Sequence, residues 1–204
     1  MYVIALTGGI ASGKTTLLNA LQKQGAPVID ADAISRSLTA PGGEALPAIR
    51  DAFGGSVFQE DGTLDRKVLA AIVFSDEAAR RRLEAIVHPL VAERMSGELS
   101  ILSQKYKAAV VDIPLLYESH MESMANEVWC VYVPKQVQLK RLRERDGLTQ
   151  RQALLRLKSQ MDPREKCRRA DHVIRTDGPP ANSAAQAASL WQEAIKRLGG
   201  NIID

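Results

Sequence analysis

The sequence has few cysteines and no long hydrophobic run. Only Cys130 and Cys167 occur among 204 residues, with no metal-ligand spacing and no neighbouring histidine, so neither a disulfide framework nor a zinc site is expected. No apolar run approaches the roughly 20 residues of a membrane span, and the N-terminus lacks a basic segment and a small-residue cleavage site. We therefore expect a cytoplasmic protein without a membrane partner.

The composition excludes the nonglobular classes. With 45% hydrophobic and 25% charged residues, the chain has the profile of neither a disordered protein, a coiled coil nor a collagen. It also contains no internal repeat and no low-complexity linker. Its length suits one ordinary domain that carries small inserted subdomains.

The positive charge is concentrated in one segment. The formal net charge is only +3, yet residues 135–169 hold 12 basic and 4 acidic residues, so the rest of the chain is net negative. This asymmetry favours an anionic partner at the segment. The segment contains no aromatic side chain for base stacking, which argues against nucleic acid and favours a phosphate-bearing small molecule. A solvent-exposed helix face is the alternative interpretation.

Short apolar runs that alternate with helical patterns predict the fold. Strands separated by helical stretches are typical of an α/β protein in which helices cover both faces of a parallel sheet. We therefore predict a three-layer architecture with a five-stranded parallel sheet. The predicted strands are residues 2–7, 26–30, 110–112, 128–133 and 172–174.

Two helical segments interrupt the predicted core, which consists of residues 1–32, 108–140 and 166–204. Residues 33–107 contain helical patterns and turn signals but no strong strand run, and they are too long for a simple crossover. We interpret them as a helical insertion that binds the substrate. Residues 141–165 belong to the basic segment, and we interpret them as a small helical lid.

Residues 8–15, Gly-Gly-Ile-Ala-Ser-Gly-Lys-Thr, match the phosphate-binding loop (P-loop) pattern G-x-x-x-x-G-K-[ST] between a predicted strand and a predicted helix. Glycines let backbone N–H groups turn toward phosphate oxygens, and the helix N-terminus adds positive potential. Lys14 can reach the β and γ phosphates, and Thr15 can supply an oxygen ligand to Mg²⁺. The pattern therefore predicts a P-loop NTPase-type core that binds a nucleoside triphosphate with Mg²⁺. The predicted nucleotide-binding residues of the loop are Gly8, Gly9, Ala11, Ser12, Gly13, Lys14, Thr15 and Thr16.

Acidic residues follow two predicted strands at the edge where ligands of open α/β sheets bind. Asp30 and Asp32 end the second strand, and one of these carboxylates could orient an acceptor hydroxyl beside the γ-phosphate and take its proton. Asp32, at the loop end, is the predicted catalytic residue; the alternative is an N-cap for the following helix. Asp112 ends the third strand and is predicted to support Mg²⁺, the alternative being an ordinary strand-end aspartate.

The basic segment fits a lid that closes over phosphates. Helices are predicted from Lys135 to about Arg145 and again from Thr149, where Gln152 completes a capping-box pattern. Arg141 and Arg145 lie four residues apart, so both can point at one anion and supply charge, Arg141 as a nucleotide ligand and Arg145 as a catalytic residue. An enzyme that phosphorylates an alcohol without hydrolysing its donor needs such a lid to exclude water. These features favour a small kinase.

Other nucleotide-binding classes have less support. The sequence contains neither an Asn-Lys-x-Asp element for guanine nor a Leu-Ser-Gly-Gly-Gln transporter signature. A nucleoside or nucleotide kinase of similar architecture stays open. A non-enzymatic nucleotide-dependent switch also stays open, and it would bind nucleotide without transferring phosphate to a small alcohol.

The chain resembles the dephospho-coenzyme A kinase family over nearly its whole length. An Ile-Asp-Ala-Asp stretch, a His-Pro pair and a Pro-Leu-Leu element are specific in combination. The resembling stretches are residues 6–16, 28–32, 86–90, 112–118, 138–146, 160 and 170–174. The resemblance implies that ATP is the donor and that the ribose 3′-hydroxyl of dephospho-coenzyme A is the acceptor, in the last step of coenzyme A biosynthesis.

The resemblance also implies roles for single residues. It makes Asp32 the base and places His88 and Leu115 with the acceptor. Two positions depart from the family pattern. Ala11 stands where the family usually has glycine, and Thr176 stands where an asparagine usually follows the last strand, so an adenine contact from that loop is left open.

Overall fold

A computed structural model describes residues 1–203 and contains one five-stranded parallel sheet. The strands are β1 (Tyr2–Gly8), β2 (Val28–Asp30), β3 (Ala108–Asp112), β4 (Glu127–Tyr132) and β5 (His172–Arg175). They lie in the order β2-β3-β1-β4-β5 and all pair in parallel, which confirms the predicted fold class. Each strand begins and ends within two residues of its predicted run.

Nine α-helices connect or flank these strands in the described residues. The helices are α1 (Lys14–Lys23), α2 (Ala31–Leu38), α3 (Leu46–Phe53), α4 (Arg66–Ser75), α5 (Glu77–Leu102), α6 (Lys135–Asp146), α7 (Gln150–Lys158), α8 (Pro163–Arg169) and α9 (Pro180–Arg197). Across residues 1–203, no helix combines the length and apolar character that crossing a bilayer would require.

The chain divides into two compact units. The first contains the sheet and consists of Met1–Asp30 together with the chain from Leu99 onward. The second, Ala31–Glu98, is one continuous piece. The predicted insertion at 33–107 overlaps the second unit, and the predicted lid at 141–165 lies within the first.

One face of the sheet packs against α1 and α9. Alternate residues of a strand point to the same face, and on β1 Ile4 and Leu6 join Leu17 of α1 and Trp191 of α9 in one buried cluster. Trp191 is 1% exposed, so it is a core residue of the sheet unit. Each such side chain contributes about 1.5–3 kcal/mol by leaving water, so this face anchors the strands that carry the loop.

The opposite face of the sheet carries α8. Cys130 of β4 lies between Trp129 and Val131, which belong to the first cluster, so the Cys130 side chain points the other way. There it meets Cys167 of α8, with the two sulfur atoms 3.5 Å apart and both thiols free. Helices therefore cover both faces, as the three-layer prediction requires.

The second unit is helical and has its own small core. It holds α2, α3, α4 and most of α5, and its buried side chains include Ile34, Leu38 and Ile49. A single antiparallel bridge joins Phe58 and Leu64. This unit therefore adds a helical body outside the parallel sheet.

The helices of the basic segment end and begin where the sequence predicts. Gly147 follows α6 with φ of 65°, in the left-handed region where glycine is not strained. At the start of α7 the Thr149 hydroxyl accepts from the Gln152 N–H, and the Gln152 side chain accepts from the Thr149 N–H. The predicted capping box is therefore confirmed.

Candidate functional site

The loop between β1 and α1 has a backbone that requires glycine at two positions. Gly8 has φ of 153°, and a Cβ there would lie 2.7 Å from the Val131 carbonyl oxygen. Gly13 has φ of 92° and precedes the first residue of α1. Any other residue at these positions would be strained or would clash. Both glycines of the motif therefore stand where this turn needs them.

Ala11 lies in the left-handed region, with φ of 57°. A residue with a Cβ loses about 1–2 kcal/mol in this conformation, whereas glycine does not. The loop nevertheless keeps its turn, since the Ser12 N–H donates to the Gly9 carbonyl at 3.1 Å. The departure from the family pattern at Ala11 is therefore tolerated at the expense of local strain.

Lys14 and two threonines follow the loop at the start of α1. The Lys14 ammonium turns back and donates to the Gly8 carbonyl oxygen at 3.3 Å. Thr15 and Thr16 lie exposed in the first turn, where helix N–H groups lack partners within the helix. The aligned peptide dipoles make this end of α1 electropositive, so it favours an anion.

Ser12 has an unfilled hydrogen-bonding requirement. Within residues 1–203 its buried Oγ has no hydrogen-bond partner. A buried polar group in this state costs about 1–3 kcal/mol, so an oxygen of a ligand is a fitting partner. Phosphate oxygens accept hydrogen bonds. The loop offers them donors of three kinds: the Ser12 hydroxyl, backbone N–H groups that the glycines allow to turn inward, and the Lys14 ammonium. The loop therefore fits the phosphates of a nucleotide.

The residues at this edge also fit Mg²⁺. This ion takes oxygen ligands and is usually held by one or two carboxylates, water and substrate phosphates, without a cage of protein ligands. Thr15 offers a hydroxyl and Asp112 a carboxylate. In the described part of the chain, no group of three or more His, Cys, Asp or Glu residues could hold a metal alone. A metal bound jointly with phosphates is the arrangement that these residues fit.

Asp112 lies at the same sheet edge as the loop. It is the last residue of β3, is 8% exposed, and stands in register with Asp30 of β2 and Leu6 of β1. Because all strands are parallel, their carboxyl ends meet at one edge, where β1 continues into Gly8. The predicted metal residue and the predicted phosphate loop are therefore neighbours in the fold.

Asp32 lies inside a helix and not before it. α2 begins at Ala31, directly after β2, so Asp32 is exposed in the first turn of α2 within the second unit. It does not occupy the N-cap position that the alternative interpretation requires. A carboxylate in the first turn is favoured by the helix dipole. Its catalytic role stays a prediction.

The two predicted acceptor residues lie in different units. His88 is half-buried within α5 in the second unit, and that helix continues through Pro89. Leu115 follows β3 in the first unit and is 41% exposed. Their contact with an acceptor stays a prediction.

Arg141 and Thr176 support the loop from α6 and from the end of β5. The Arg141 guanidinium donates to the Ser12 carbonyl at 3.5 Å and to the Thr176 carbonyl. The buried Thr176 hydroxyl also donates to the Ser12 carbonyl. Thr176, where the family pattern usually has asparagine, therefore holds the main chain of the P-loop.

Arg145 does not accompany Arg141 to the loop. Its exposed guanidinium donates to both carboxylate oxygens of Asp146, at 2.7 and 3.2 Å. Asp146 also accepts from Arg156 at 2.7 Å. The two arginines that were predicted to share one anion thus have different partners here, and a catalytic role for Arg145 stays a prediction.

A buried ion pair that the sequence did not reveal joins α8 to the loop after β3. Lys166 is fully buried, and its ammonium donates to the Glu118 carboxylate at 2.8 Å and to the Pro114 carbonyl at 2.7 Å. Glu118 also accepts from the Met161 N–H at 2.9 Å. In the sequence, Lys166 is only one of the basic residues of the segment 135–169. The only available signal was that Glu118 ends a stretch that resembles the family.

Comparison with known proteins identifies the family. The family model described as dephospho-CoA kinase matches residues 2–182. The chain belongs to the dephospho-CoA kinase family. A dephospho-CoA kinase from Shouchella clausii (strain KSM-K16) is 48% identical over 184 residues, which are 90% of this chain and 93% of that protein.

Solved structures agree with this membership. A crystal structure of a Thermus thermophilus protein matches with a TM-score of 0.81 at 32% identity and covers 96% of both chains. The structure of a dephospho-CoA kinase from Campylobacter jejuni matches with a TM-score of 0.72 at 31% identity, over 96% of this chain and 98% of that one. The likeness therefore includes both units.

Membership in the dephospho-CoA kinase family decides among the functions that the sequence left open. The chain is an enzyme of the kinase class, a transferase with a nucleotide-binding P-loop fold that acts on a small molecule in coenzyme A biosynthesis. The prediction of a small kinase is confirmed. The nucleotide-dependent switch and the nucleoside kinase are thereby set aside.

Proposed function

We propose that the chain transfers the γ-phosphoryl group of MgATP to the ribose 3′-hydroxyl of 3′-dephospho-CoA, giving CoA and ADP. The observation that carries this proposal is the P-loop with its Lys14 ammonium and its buried Ser12 hydroxyl, which has no partner among residues 1–203, in a chain of this family. Phosphoryl transfer needs little covalent chemistry from a protein, so catalysis consists of positioning and charge stabilisation.

The proposed nucleotide site surrounds the P-loop. Backbone N–H groups of the loop and of the first turn of α1 hold the phosphates, and Lys14 places a point charge on the β and γ oxygens. Arg141 already lies against the loop through Ser12, a position that supports a role as nucleotide ligand. The proposed ligands are Gly8, Gly9, Ala11, Ser12, Gly13, Lys14, Thr15, Thr16 and Arg141.

Thr15 and Asp112 hold Mg²⁺ in this proposal. Thr15 supplies a hydroxyl from the first turn of α1, and Asp112 supplies a carboxylate from the end of β3. An ion held by these two residues would supply positive charge that neutralises the phosphate oxygens of the donor. Oxygen ligands from one hydroxyl and one carboxylate match the preference of this ion for few protein ligands.

Asp32 is the proposed base, with His88 and Leu115 binding the acceptor. Asp32 is an exposed carboxylate two residues beyond β2, whose last residue stands in register with Asp112. In the proposed complex it orients the 3′-hydroxyl and accepts its proton as the phosphoryl group arrives.

Asp32→Asn tests the base. Asparagine keeps the shape of the side chain but does not take up the proton, so kcat on dephospho-CoA should fall by roughly 10²–10⁴. ATP binding and thermal stability should stay near parental values. Asp51→Asn is a matched control, since it changes an exposed carboxylate of α3 in the same unit and should keep parental kcat. Normal kcat for Asp32→Asn would remove Asp32 from the mechanism.

Lys14→Ala tests the donor site. The substitution removes the charge that meets the β and γ oxygens, so ATP binding should weaken and transfer should nearly cease. Thermal stability should change little, because Lys14 is only half-buried. Parental turnover at saturating ATP would show that the donor binds elsewhere.

Arg145→Ala tests the proposed lid at residues 141–165. If Arg145 exchanges its Asp146 partner for phosphate oxygens on closure, kcat should fall more than ATP affinity, since closure matters most as the transition state forms. Arg143→Ala, at another exposed position of α6, is the matched control. Unchanged kcat in both variants would show that Arg145 takes no part in catalysis and is a solvent-exposed residue.

The acceptor substrate can be identified directly. Mass spectrometry of dephospho-CoA, nucleoside monophosphates and nucleosides after incubation with MgATP identifies the acceptor, and a mass gain on dephospho-CoA alone is expected.

The proposal also covers partners and cellular location. Nucleic acid is not a proposed partner, because residues 135–169 lack aromatic side chains. The free thiols Cys130 and Cys167 fit a reducing compartment such as the cytoplasm.

A further inference from the structure

Two glutamines hold one residue of the P-loop. The Ile10 N–H donates to the Gln160 side-chain oxygen at 2.8 Å. The Ile10 carbonyl accepts from the Gln138 side-chain nitrogen at 2.9 Å. Gln138 lies on α6, and Gln160 lies in the junction between α7 and α8. Both polar groups of one loop residue are thus bound by side chains located 128 and 150 residues further along the chain.

The direction of each bond is fixed by the loop backbone. An N–H group can only donate and a carbonyl can only accept, so Gln160 must present its oxygen and Gln138 its nitrogen. Gln138 is 1% exposed, and its remaining oxygen has no partner within the described residues. A buried amide oxygen without a partner costs free energy. Because Gln138 is kept at this position despite that cost, we infer that the bond from its nitrogen to the Ile10 carbonyl serves the loop.

The space around the loop is adapted to Gln138. A Cβ on Gly9 would lie 2.5 Å from the Gln138 nitrogen, so with any other residue at position 9 the Gln138 amide would have to shift. Ile10 is followed by Ala11, whose left-handed conformation sets the direction of the next N–H groups. Rotation of the Ile10 peptide groups would therefore misdirect the part of the loop that faces the phosphates.

We propose that Gln138 and Gln160 are positioning residues that hold the P-loop in its phosphate-binding shape and connect that shape to the segment between α6 and α8. This inference rests on the proposed function, because it concerns the same nucleotide site. A misplacement of about 1 Å at a catalytic group can lower turnover by about 10²-fold, so small rotations of Ile10 matter.

A pair of glutamate substitutions tests the bond directions. Gln160→Glu keeps an oxygen that accepts from the Ile10 N–H, whereas Gln138→Glu turns a carboxylate oxygen toward the Ile10 carbonyl. Both add one negative charge beside the same residue, so a general effect of negative charge near the loop would lower both kcat values. We expect kcat of Gln138→Glu to be about 10²-fold below that of Gln160→Glu. Gln136→Glu, at an exposed position of α6, should keep parental kcat.

The pH profile gives a readout that a merely structural role would not move. A protonated glutamic acid at position 138 can donate its O–H to the Ile10 carbonyl, so kcat of Gln138→Glu relative to the parent should rise as pH falls. The same ratio for Gln160→Glu should change little, because its carboxylate already accepts the N–H. Equal kcat and parallel pH profiles for the two variants would overturn the inference.

Gln160→Met gives a second test that does not depend on whether variants at the buried Gln138 fold. It also does not depend on dephospho-CoA, because it measures the binding of ADP. Gln160 is only half-buried, and methionine has a similar length without an acceptor for the Ile10 N–H. Calorimetry with ADP should show weakening by roughly 2- to 10-fold, the equivalent of one lost hydrogen bond. Parental ADP affinity would overturn the inference. If the parent fails to phosphorylate dephospho-CoA, the proposed function fails, while the ADP measurement still decides the role of Gln160.

Discussion

Lys166→Met is the substitution whose effect the structure defines best. Lys166 is fully buried, and its ammonium binds the Glu118 carboxylate at 2.8 Å and the Pro114 carbonyl at 2.7 Å. Methionine occupies a similar volume but leaves Glu118 charged, with its carboxylate largely removed from water. Breaking a buried pair by removing one partner costs about 3–5 kcal/mol. For a chain of this size, 1 kcal/mol shifts Tm by about 2–4 °C, so Tm should fall by about 6–20 °C.

Urea unfolding monitored by tryptophan fluorescence measures this loss, because Trp129 and Trp191 are both buried in the sheet unit. Adding Glu118→Gln to Lys166→Met removes the uncompensated charge and should restore most of the free energy of unfolding. Lys158→Met, the same change at an exposed position of α7, should alter it by less than about 0.5 kcal/mol.

Two outcomes would refute this reasoning about the buried pair. A Lys166→Met protein within about 1 kcal/mol of the parent would show that the Glu118 carboxylate reaches water at little cost. A double variant no more stable than Lys166→Met would show that the loss comes from packing and not from charge.

Three further predictions concern other parts of the molecule. Burial pushes the pKa of Glu127 upward, but hydrogen bonds, led by that from the Trp129 indole at 2.7 Å, hold it below its ordinary value. A lowered folded-state pKa means that ionised Glu127 stabilises the fold at pH values above its unfolded pKa. Glu127→Gln should therefore lower the free energy of unfolding at pH 7 by about 1.5–3 kcal/mol, the range for a hydrogen bond to a charged group, as measured by urea unfolding. The difference should shrink below about pH 4. Ala11→Gly should relieve about 1–2 kcal/mol of strain against about 0.4–1 kcal/mol of added chain entropy, so Tm should rise slightly and not fall. The hydrogen bond between the two thiols lowers the pKa of Cys167. The same hydrogen bond, together with burial, raises the pKa of Cys130. Alkylation followed by peptide mass spectrometry should therefore modify Cys167 in the native protein and Cys130 only after unfolding.

Features coded by neighbouring residues were predictable from the sequence. The P-loop is eight consecutive residues between a strand and a helix, and the structure places it there with Gly8 and Gly13 in conformations that favour glycine. The capping box at Thr149 spans only four residues and is present as predicted. Such local patterns need no knowledge of distant contacts.

Features that depend on distant contacts were not predictable. Lys166 lies in a strongly basic stretch, and only its meeting with Glu118, 48 residues earlier, explains why it is buried. Cys130 and Cys167 are 37 residues apart and become neighbours because α8 covers β4. For Arg145 the sequence offered an anion or a solvent-exposed helix face, and the pattern of charges did not reveal its pairing with Asp146.

The strand order has a consequence for synthesis on the ribosome. β1 is made first but pairs only with β3 and β4, in registers such as Tyr2 with Ala108 and Ile4 with Glu127. At about 5–20 residues per second, on the order of 6–25 s pass before both neighbours exist. The continuous piece Ala31–Glu98 is complete earlier. During most of that interval both edges of an apolar strand are open to wrong partners. Slower elongation or loss of chaperone capacity should therefore lower the yield of folded enzyme without changing the molecules that have already folded.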